Sequence, residues 1–140
     1  YGHVSGNPDV QNFGGYSASN TVHERYVMKI PDSIPLDKAG PILCAGITLW
    51  DPLRHWGATK EGSKMVIGIA GIGGLGTMGI KMAKGLGHRV VAISSSDKKK
   101  DLAMEKGADA FVNINDEASR KAEAGKIDLL LSTISAHHDL

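Results

Sequence analysis

Two patterns of apolar and polar residues alternate along the second half of the chain. Short runs that are apolar throughout predict strands covered on both faces, and the segments between them carry apolar residues at helical spacing. The predicted strands are 65–70, 90–93, 110–114 and 127–134, and the predicted helices are 74–86, 98–106 and, more weakly, 116–124. Strands that alternate with helices in this way predict an α/β fold with a doubly wound parallel sheet of about four strands.

The first part of the chain follows a different pattern. Residues 1–15 are predicted to be loop, and the β-type residues over Tyr16–Ile30 predict a strand. Leu36–Ala45 is predicted to form a short helix that turns at Gly46. Apolar residues spaced by three and four then predict a second helix over Ile47–Trp56.

Composition divides the chain at nearly the same place. All five prolines and six of the seven aromatic residues precede residue 57, whereas ten of the 18 glycines lie between Gly57 and Gly87. The segment Ala58–Ser63 is polar and rich in turn-forming residues. We therefore expect a domain boundary there, between residues 1–57 and 58–140.

Bulk properties exclude several classes of function. The 140 residues are 41% hydrophobic and carry a net charge of +1, which does not favour a nucleic-acid partner. No basic stretch followed by an apolar run opens the chain, and no run of about 18 apolar residues occurs. We expect a cytoplasmic protein with no membrane partner.

A glycine-rich motif follows the first predicted strand directly and opens the next helix. Its residues are Gly71, Ile72, Gly73, Gly74, Leu75 and Gly76, which match G-x-G-x-x-G. In this context the first glycine permits a tight turn, the second lets the backbone approach a pyrophosphate, and the third lets helix and strand pack closely. The helix N-terminus then offers N–H groups to the phosphates. The motif predicts a dinucleotide-binding site on a partial Rossmann fold, incomplete because four strands are fewer than six.

The end of the second predicted strand indicates which dinucleotide binds. Binders of NAD place an Asp or Glu about 20 residues after the loop. Here Ser94 and Ser95 end the strand, and three lysines, including Lys99, follow. Hydroxyl groups can donate to a phosphate, and an anion would relieve the conflict between lysines and a helix N-terminus. The pattern favours NADP over NAD, with Asp97 as the residue that argues for NAD.

The residues that could bind a metal do not form a recognisable site by spacing. Cys44 is the single cysteine, which excludes a disulfide framework and a zinc site made only of cysteines from this chain. Taken alone, it is more often a buried apolar residue than a ligand. None of the six histidines has ligand spacing to it, and His88, which precedes a strand, is expected at the surface.

Several segments together resemble one enzyme family. They are Gly14–Tyr16, the run Pro41–Thr48 (PILCAGIT), the loop Gly71–Gly76, Ser94–Lys100 (SSSDKKK) and Gly107–Asp109. Over nearly its whole length, the chain resembles the central part of a zinc-dependent medium-chain alcohol dehydrogenase of the cinnamyl alcohol dehydrogenase type. The cysteine run and the serine–lysine run are the specific segments.

The resemblance implies a reaction and a set of site residues. The reaction is reversible hydride transfer between NADP(H) and a small-molecule primary alcohol or aldehyde, with zinc as a Lewis acid. Cys44 matches a ligand of the catalytic zinc, and Thr48 matches a residue beside the nicotinamide and the zinc shell. The contacts to the 2′-phosphate of NADP are matched by Ser94, Ser95 and Lys99. Thr133 matches a residue near the nicotinamide ribose.

The resemblance also implies that the chain is a fragment of a homodimeric parent. Residues 1–57 would be the C-terminal part of a GroES-like catalytic domain with its connecting helices, and 58–140 an incomplete NADP-binding domain. The other two zinc ligands and the proton relay would precede Tyr1, so the fragment alone is expected to be inactive. Two alternatives stay open, a zinc-free quinone or enone reductase of the same fold and a non-catalytic NADP-binding module.

Overall fold

The structure, a computed structural model, describes residues 15–16 and 18–136. The chain divides into two compact units, Tyr1–Ile34 and Pro35–Leu140. Within the described part of the first unit there is a short 3₁₀ turn, Glu24–Tyr26, and no strand. The strand predicted over Tyr16–Ile30 is therefore wrong there. Its β-type residues, such as Val22 and Val27, are exposed, and β propensity yields a strand only where a neighbouring strand and a packed face support it.

The second unit opens with a continuous helical segment rather than two helices joined by a turn. Helix α1 is Leu36–Pro41, a π-helical turn spans Ile42–Gly46, and helix α2 is Ile47–His55. The turn predicted at Gly46 is wrong, because this residue keeps helical angles, φ −61° and ψ −53°. The widened turn follows Pro41, which lacks the N–H that an ordinary helical hydrogen bond requires.

A four-stranded parallel sheet follows, as the periodicity predicted. The elements in chain order are β1 Val66–Ala70, α3 Gly74–Gly85, β2 Arg89–Ser94, a 3₁₀ turn Asp97–Lys99, α4 Lys100–Glu105, β3 Ala110–Asn113, α5 Glu117–Glu123 and β4 Leu129–Ser132. The strand order is β3-β2-β1-β4, and every pairing is parallel. Strands β2 and β3 lie on one side of β1 and β4 lies on the other, so the strand order reverses between β1 and β4. This confirms the α/β class and the partial Rossmann topology.

The core of this unit lies mainly between the sheet and helices α2, α3 and α4. Leu53 and Ile80 are fully buried there against β1 residues Ile67 and Ile69. A smaller apolar cluster on other positions of the sheet includes Val91. Because Leu53 belongs to α2, the helix before the polar segment Ala58–Ser63, called the connector below, packs into the same core as the sheet. The assignment of residues 1–57 and 58–140 to separate domains stays a prediction.

His88 is buried and only 2% exposed, so its predicted surface position is wrong. Its Nδ1 accepts a hydrogen bond from the Met65 N–H at 3.2 Å, and its Nε2 lies 2.8 Å from the Ala58 carbonyl oxygen. These partners require a neutral ring with the proton on Nε2. The imidazole thus joins the connector to the start of β1. The carbonyl that makes burial favourable comes from 30 residues away, which local sequence does not reveal.

One ion pair links helix α5 to the sheet. The Arg89 guanidinium donates two hydrogen bonds of 2.8 Å to the carboxylate of Glu123, whose side chain is 13% exposed. Hydrogen bonding from Arg89 holds the pKa of the Glu123 carboxyl below its ordinary value, although partial burial opposes this. The pair joins the beginning of β2 to the last residue of α5.

None of the helices among residues 15–16 and 18–136 is long and apolar enough to cross a bilayer.

Candidate cofactor-binding site

A cavity of about 500 Å³ lies at the carboxyl end of the parallel strands. It is lined by Gly71, Ile72, Gly73, Ile93, Ser94, Ser95, Lys99, Ile114, Thr133, Ile134, Ser135 and Ala136. These residues come from the last two positions of β2 and from the segments that follow all four strands. Open α/β sheets bind ligands in this position, outside the carboxyl ends of the strands and beside the reversal of strand order.

The glycine motif forms the turn that its spacing predicted. Gly71 has a φ of +87°, a conformation that favours glycine, and its N–H donates to the Ile93 carbonyl at 3.0 Å. A Cβ added to Gly76 would overlap the Gly71 carbonyl oxygen. At Gly73 an added Cβ would meet nothing within 4 Å, so the space beside this residue is open. The turn is closed on its inner side and accessible at Gly73.

Helix α3 begins at this turn with no side-chain cap. Its N-cap residue is Gly73, and the first helical hydrogen bond runs from the Thr77 N–H to the Gly73 carbonyl at 2.9 Å. The N–H groups of Gly74, Leu75 and Gly76 precede that bond. They are the donors that a helix N-terminus offers to an anion, reinforced by the helix dipole.

Polar groups at the end of β2 line the same cavity. Ser94, Ser95 and Lys99 all contribute to its wall. Ser96 does not line it; its hydroxyl oxygen accepts the Lys98 N–H at 3.3 Å and caps the 3₁₀ turn that carries Lys99. Within the described residues the Lys99 ammonium forms no ion pair. A cation and two hydroxyl groups therefore share one wall, an arrangement suited to an anionic ligand.

Thr133 connects the end of β4 to the glycine turn. Its N–H donates to the Ala70 carbonyl at 2.8 Å, and its hydroxyl lies 3.0 Å from the Ala70 oxygen and 2.8 Å from the Gly71 oxygen. The threonine, predicted to lie near the nicotinamide ribose, thus stands against the first residue of the motif. It lines the cavity together with the glycine and serine residues.

Cys44 and Thr48 are not among the residues that line this cavity. Cys44 is exposed in the π-helical turn, and the Thr48 hydroxyl donates to its carbonyl oxygen at 2.9 Å. Among the residues that the structure describes, no three or more His, Cys, Asp or Glu side chains come together in a way that could hold a metal ion. The described residues do not by themselves fit a zinc ion.

Several cavity residues were not predicted from the sequence. Ile93, Ile114, Ile134, Ser135 and Ala136 are the additional lining residues. Four of them follow β3 or β4, and the rule that ligands bind beyond the carboxyl ends of parallel strands is the signal that could have identified them. The structure also places two asparagines, Asn113 and Asn115, beside the segment after β2, where they contact Asp97 and Ser95.

Known proteins are similar to this chain both in sequence and in fold. The family of zinc-binding dehydrogenases matches residues 74–140. Cinnamyl alcohol dehydrogenase 8 of Arabidopsis thaliana is 46% identical over 129 residues, which are 91% of this chain and 35% of that protein. The chain therefore spans about a third of the length of the curated relatives it matches.

Two solved structures are similar to the described fold. A cinnamyl alcohol dehydrogenase of Sorghum bicolor matches with a TM-score of 0.73 and 43% identity, covering 79% of this chain and 31% of its own. A CAD from Helicobacter pylori, solved in complex with NADP(H), matches with a TM-score of 0.69 and 36% identity, covering 82% and 31%. By sequence and by fold, this chain belongs to the zinc-dependent medium-chain alcohol dehydrogenases of the cinnamyl alcohol dehydrogenase type.

Proposed function

We propose that this chain is the NADP-binding part of a zinc-containing alcohol dehydrogenase. The whole enzyme interconverts primary, cinnamyl-type alcohols and their aldehydes by hydride transfer. One observation carries the proposal: a single cavity combines the glycine turn with Ser94, Ser95 and Lys99. A dinucleotide with a phosphorylated ribose presents anionic groups that both parts of this cavity can bind.

The residues of the cavity fit NADP. The open side of Gly73 and the N–H groups at the start of α3 would hold the pyrophosphate. Ser94 and Ser95 would donate to the 2′-phosphate, and Lys99 would offset its charge. Thr133 would lie on the side of the nicotinamide ribose. Bound NADP(H) would supply or accept the hydride.

The catalytic zinc ion would be bound by the whole enzyme, with ligands from outside this chain as well as from within it. Cys44 is one candidate ligand, whereas catalytic zinc sites normally use three protein ligands. Thr48, four residues away and bonded to its carbonyl, would lie beside that site. We therefore propose that the 140-residue chain alone is catalytically inactive, and that the whole enzyme is a cytoplasmic homodimer acting on small molecules.

The test compares the longest natural form of the protein with the 140-residue chain. Zinc is measured per subunit, and NADPH oxidation is followed with an aromatic aldehyde. We expect about one or two zinc ions per subunit in the long form and aldehyde-dependent NADPH oxidation by that form alone. Cys44→Ser should remove about one zinc ion and the activity, while the exposed-histidine control His55→Asn should change neither.

The result can also contradict the proposal. A long form with no zinc that still reduces an enone or a quinone would indicate the zinc-free reductase. NADP binding with neither zinc nor turnover would indicate a binding module. Aldehyde-dependent turnover by the purified 140-residue chain would overturn its proposed inactivity.

A further inference from the structure

The segment that would bind the 2′-phosphate of NADP contains a carboxylate, which should weaken the binding of that phosphate. Asp97 lies two residues after Ser95 and two before Lys99. A carboxylate near the phosphate would repel it, and a carboxylate paired with Lys99 would neutralise the cation that attracts it. A mechanism that keeps Asp97 away from the phosphate site would therefore strengthen selection of NADP.

The structure holds this carboxylate at the end of β3. The side-chain amide of Asn113 donates to Asp97 Oδ2 at 3.0 Å. Asp97 does not line the cavity, and among the described residues it forms no ion pair with any of the neighbouring lysines. The Lys99 ammonium is consequently left available to a ligand.

Backbone contacts fix the orientation of the Asn113 side chain. Its Oδ1 accepts the Asn115 N–H at 3.0 Å, so the oxygen must face that donor and the NH₂ group must face Asp97. The Asn113 N–H donates to the Ser119 hydroxyl at 3.1 Å. The amide is thus positioned as a donor toward the carboxylate before any cofactor binds.

Asn115 makes a parallel contact with the same segment. Its amide donates to the Ser95 carbonyl oxygen at 2.8 Å. This contact positions a backbone group and holds no charge. Asn115 therefore offers a matched control: removing it loosens the segment without releasing a carboxylate.

We propose that Asn113 is a positioning residue for cofactor selection, which holds the Asp97 carboxylate away from Lys99 and from the 2′-phosphate of NADP. The inference rests on the proposed function, because it assumes that the cavity binds NADP. Asn113 would touch neither the cofactor nor the reacting atoms. Its effect would pass through Asp97 alone.

The experiment measures the Kd of NADP and NAD by fluorescence titration of their reduced forms, on the longest natural form of the protein. Asn113→Ala should weaken NADP about tenfold, because the released carboxylate repels the phosphate and pairs with Lys99, and should leave NAD within about twofold. Asp97→Asn alone should change both by no more than about twofold. In the Asp97→Asn background, Asn113→Ala should no longer weaken NADP selectively.

A second pair of variants guards against simple loosening or misfolding. Asn113→Asp keeps the acceptor for the Asn115 N–H but sets two carboxylates against each other, so it should weaken NADP at least as much as Asn113→Ala. Combining it with Asp97→Asn restores a donor and an acceptor and should recover NADP binding. Asn115→Ala should alter NADP and NAD by similar factors.

Each outcome separates this inference from the proposed function. If the unmodified protein binds NADP no better than NAD, the proposed selectivity for NADP fails first. If the unmodified protein prefers NADP but Asn113→Ala weakens the binding of both cofactors equally, Asn113 merely supports the segment and the inference is overturned. The inference is also overturned if Asn113→Ala weakens NADP binding equally in the presence and in the absence of the Asp97 carboxylate. Tenfold tighter NADP binding in Asp97→Asn alone would also overturn it.

Discussion

Ser95 lies near the distance along the chain at which proteins that select NAD place an acidic residue. It is 24 residues after Gly71 and lines the cavity beside Lys99. A carboxylate there would accept hydrogen bonds from ribose hydroxyls but repel a phosphate, whereas a hydroxyl donates to it. We therefore propose that the Ser95 hydroxyl contributes to the choice of NADP over NAD.

Substitution of this serine tests that reading. Ser95→Asp should weaken NADP about tenfold or more while NAD binding holds or tightens, because a charge-assisted hydrogen bond contributes about 1.5–3 kcal/mol. The measurement is a titration of both cofactors in the longest natural form. Ser96→Asp is the control, since it adds the same charge outside the cavity and an aspartate can still cap the 3₁₀ turn. Equal weakening of both cofactors by Ser95→Asp would mean that Ser95 only supports the strand end.

Two glycines of α3 should respond in opposite ways to alanine. At Gly76 a Cβ would overlap the backbone oxygen of Gly71, which cannot move without opening the turn. Gly76→Ala should therefore lower the free energy of unfolding by about 3 kcal/mol, near the upper end for overpacking. At Gly85 an added Cβ meets nothing within 4 Å, so Gly85→Ala should raise it by about 0.4–1 kcal/mol.

Urea denaturation of the two variants provides the measurement. A Gly76→Ala protein as stable as the unmodified one would show that the turn adapts, and the proposed reason for a third glycine would fail.

Among the elements, the contact of α5 with β2 carries a pH dependence. The two hydrogen bonds from Arg89 lower the pKa of Glu123 in the folded state below its ordinary value of 4.5. A carboxyl group with a lowered pKa adds stability above its ordinary pKa, and that stability is lost as the pH falls through the folded value. The attachment of α5 should therefore weaken below about pH 4.5 and not in the neutral range.

The pH dependence can be isolated with Glu123→Gln. This variant should lower the free energy of unfolding at pH 7, and the difference from the unmodified protein should shrink steadily in urea titrations below about pH 4.5. In an Arg89→Met background the same substitution should show a much smaller pH dependence, because the donor is gone. A difference that stays constant from pH 7 to pH 3 would contradict the assigned role.

On the scale of the whole molecule, β4 is an edge strand of the sheet. Among the described residues it pairs with β1 alone, and Leu130 on this strand is 38% exposed. An edge strand presents unpaired backbone groups, and an exposed apolar residue beside them favours pairing with another chain. The isolated 140-residue chain should therefore be marginally stable and self-associate.

Light scattering with size-exclusion chromatography measures this association. We expect concentration-dependent oligomers of the 140-residue chain, reduced by Leu130→Lys, because a charge on an exposed edge position opposes pairing. Leu131→Lys is the contrasting variant, since Leu131 is buried and its substitution should unfold the domain. A monodisperse monomer with a sharp cooperative melt would contradict the expectation.

The sequence alone determined the alternation of elements and the glycine turn. Both depend on local properties: uninterrupted apolar runs such as Val66–Ala70 suit strands covered on both faces, and a glycine suits the positive φ at position 71. The spacing of apolar residues that is typical of helices and of strands is visible in a single sequence, so the parallel α/β class could be predicted. The grouping of Ser94, Ser95 and Lys99 followed because neighbours in sequence at a strand end stay neighbours in space.

Only the tertiary structure decided what depends on distant partners. The segment Tyr16–Ile30 has β propensity but no strand in its described part, and the chain continues as helix through Gly46 although a glycine can end one. His88 is buried because a carbonyl from the connector meets its ring. The Asp97 carboxylate accepts a hydrogen bond from Asn113, 16 residues away, and in the described part of the chain Lys99 forms no ion pair. Hydrogen bonds of this kind form between residues that only the packed sheet brings together, and local pattern carries no record of them.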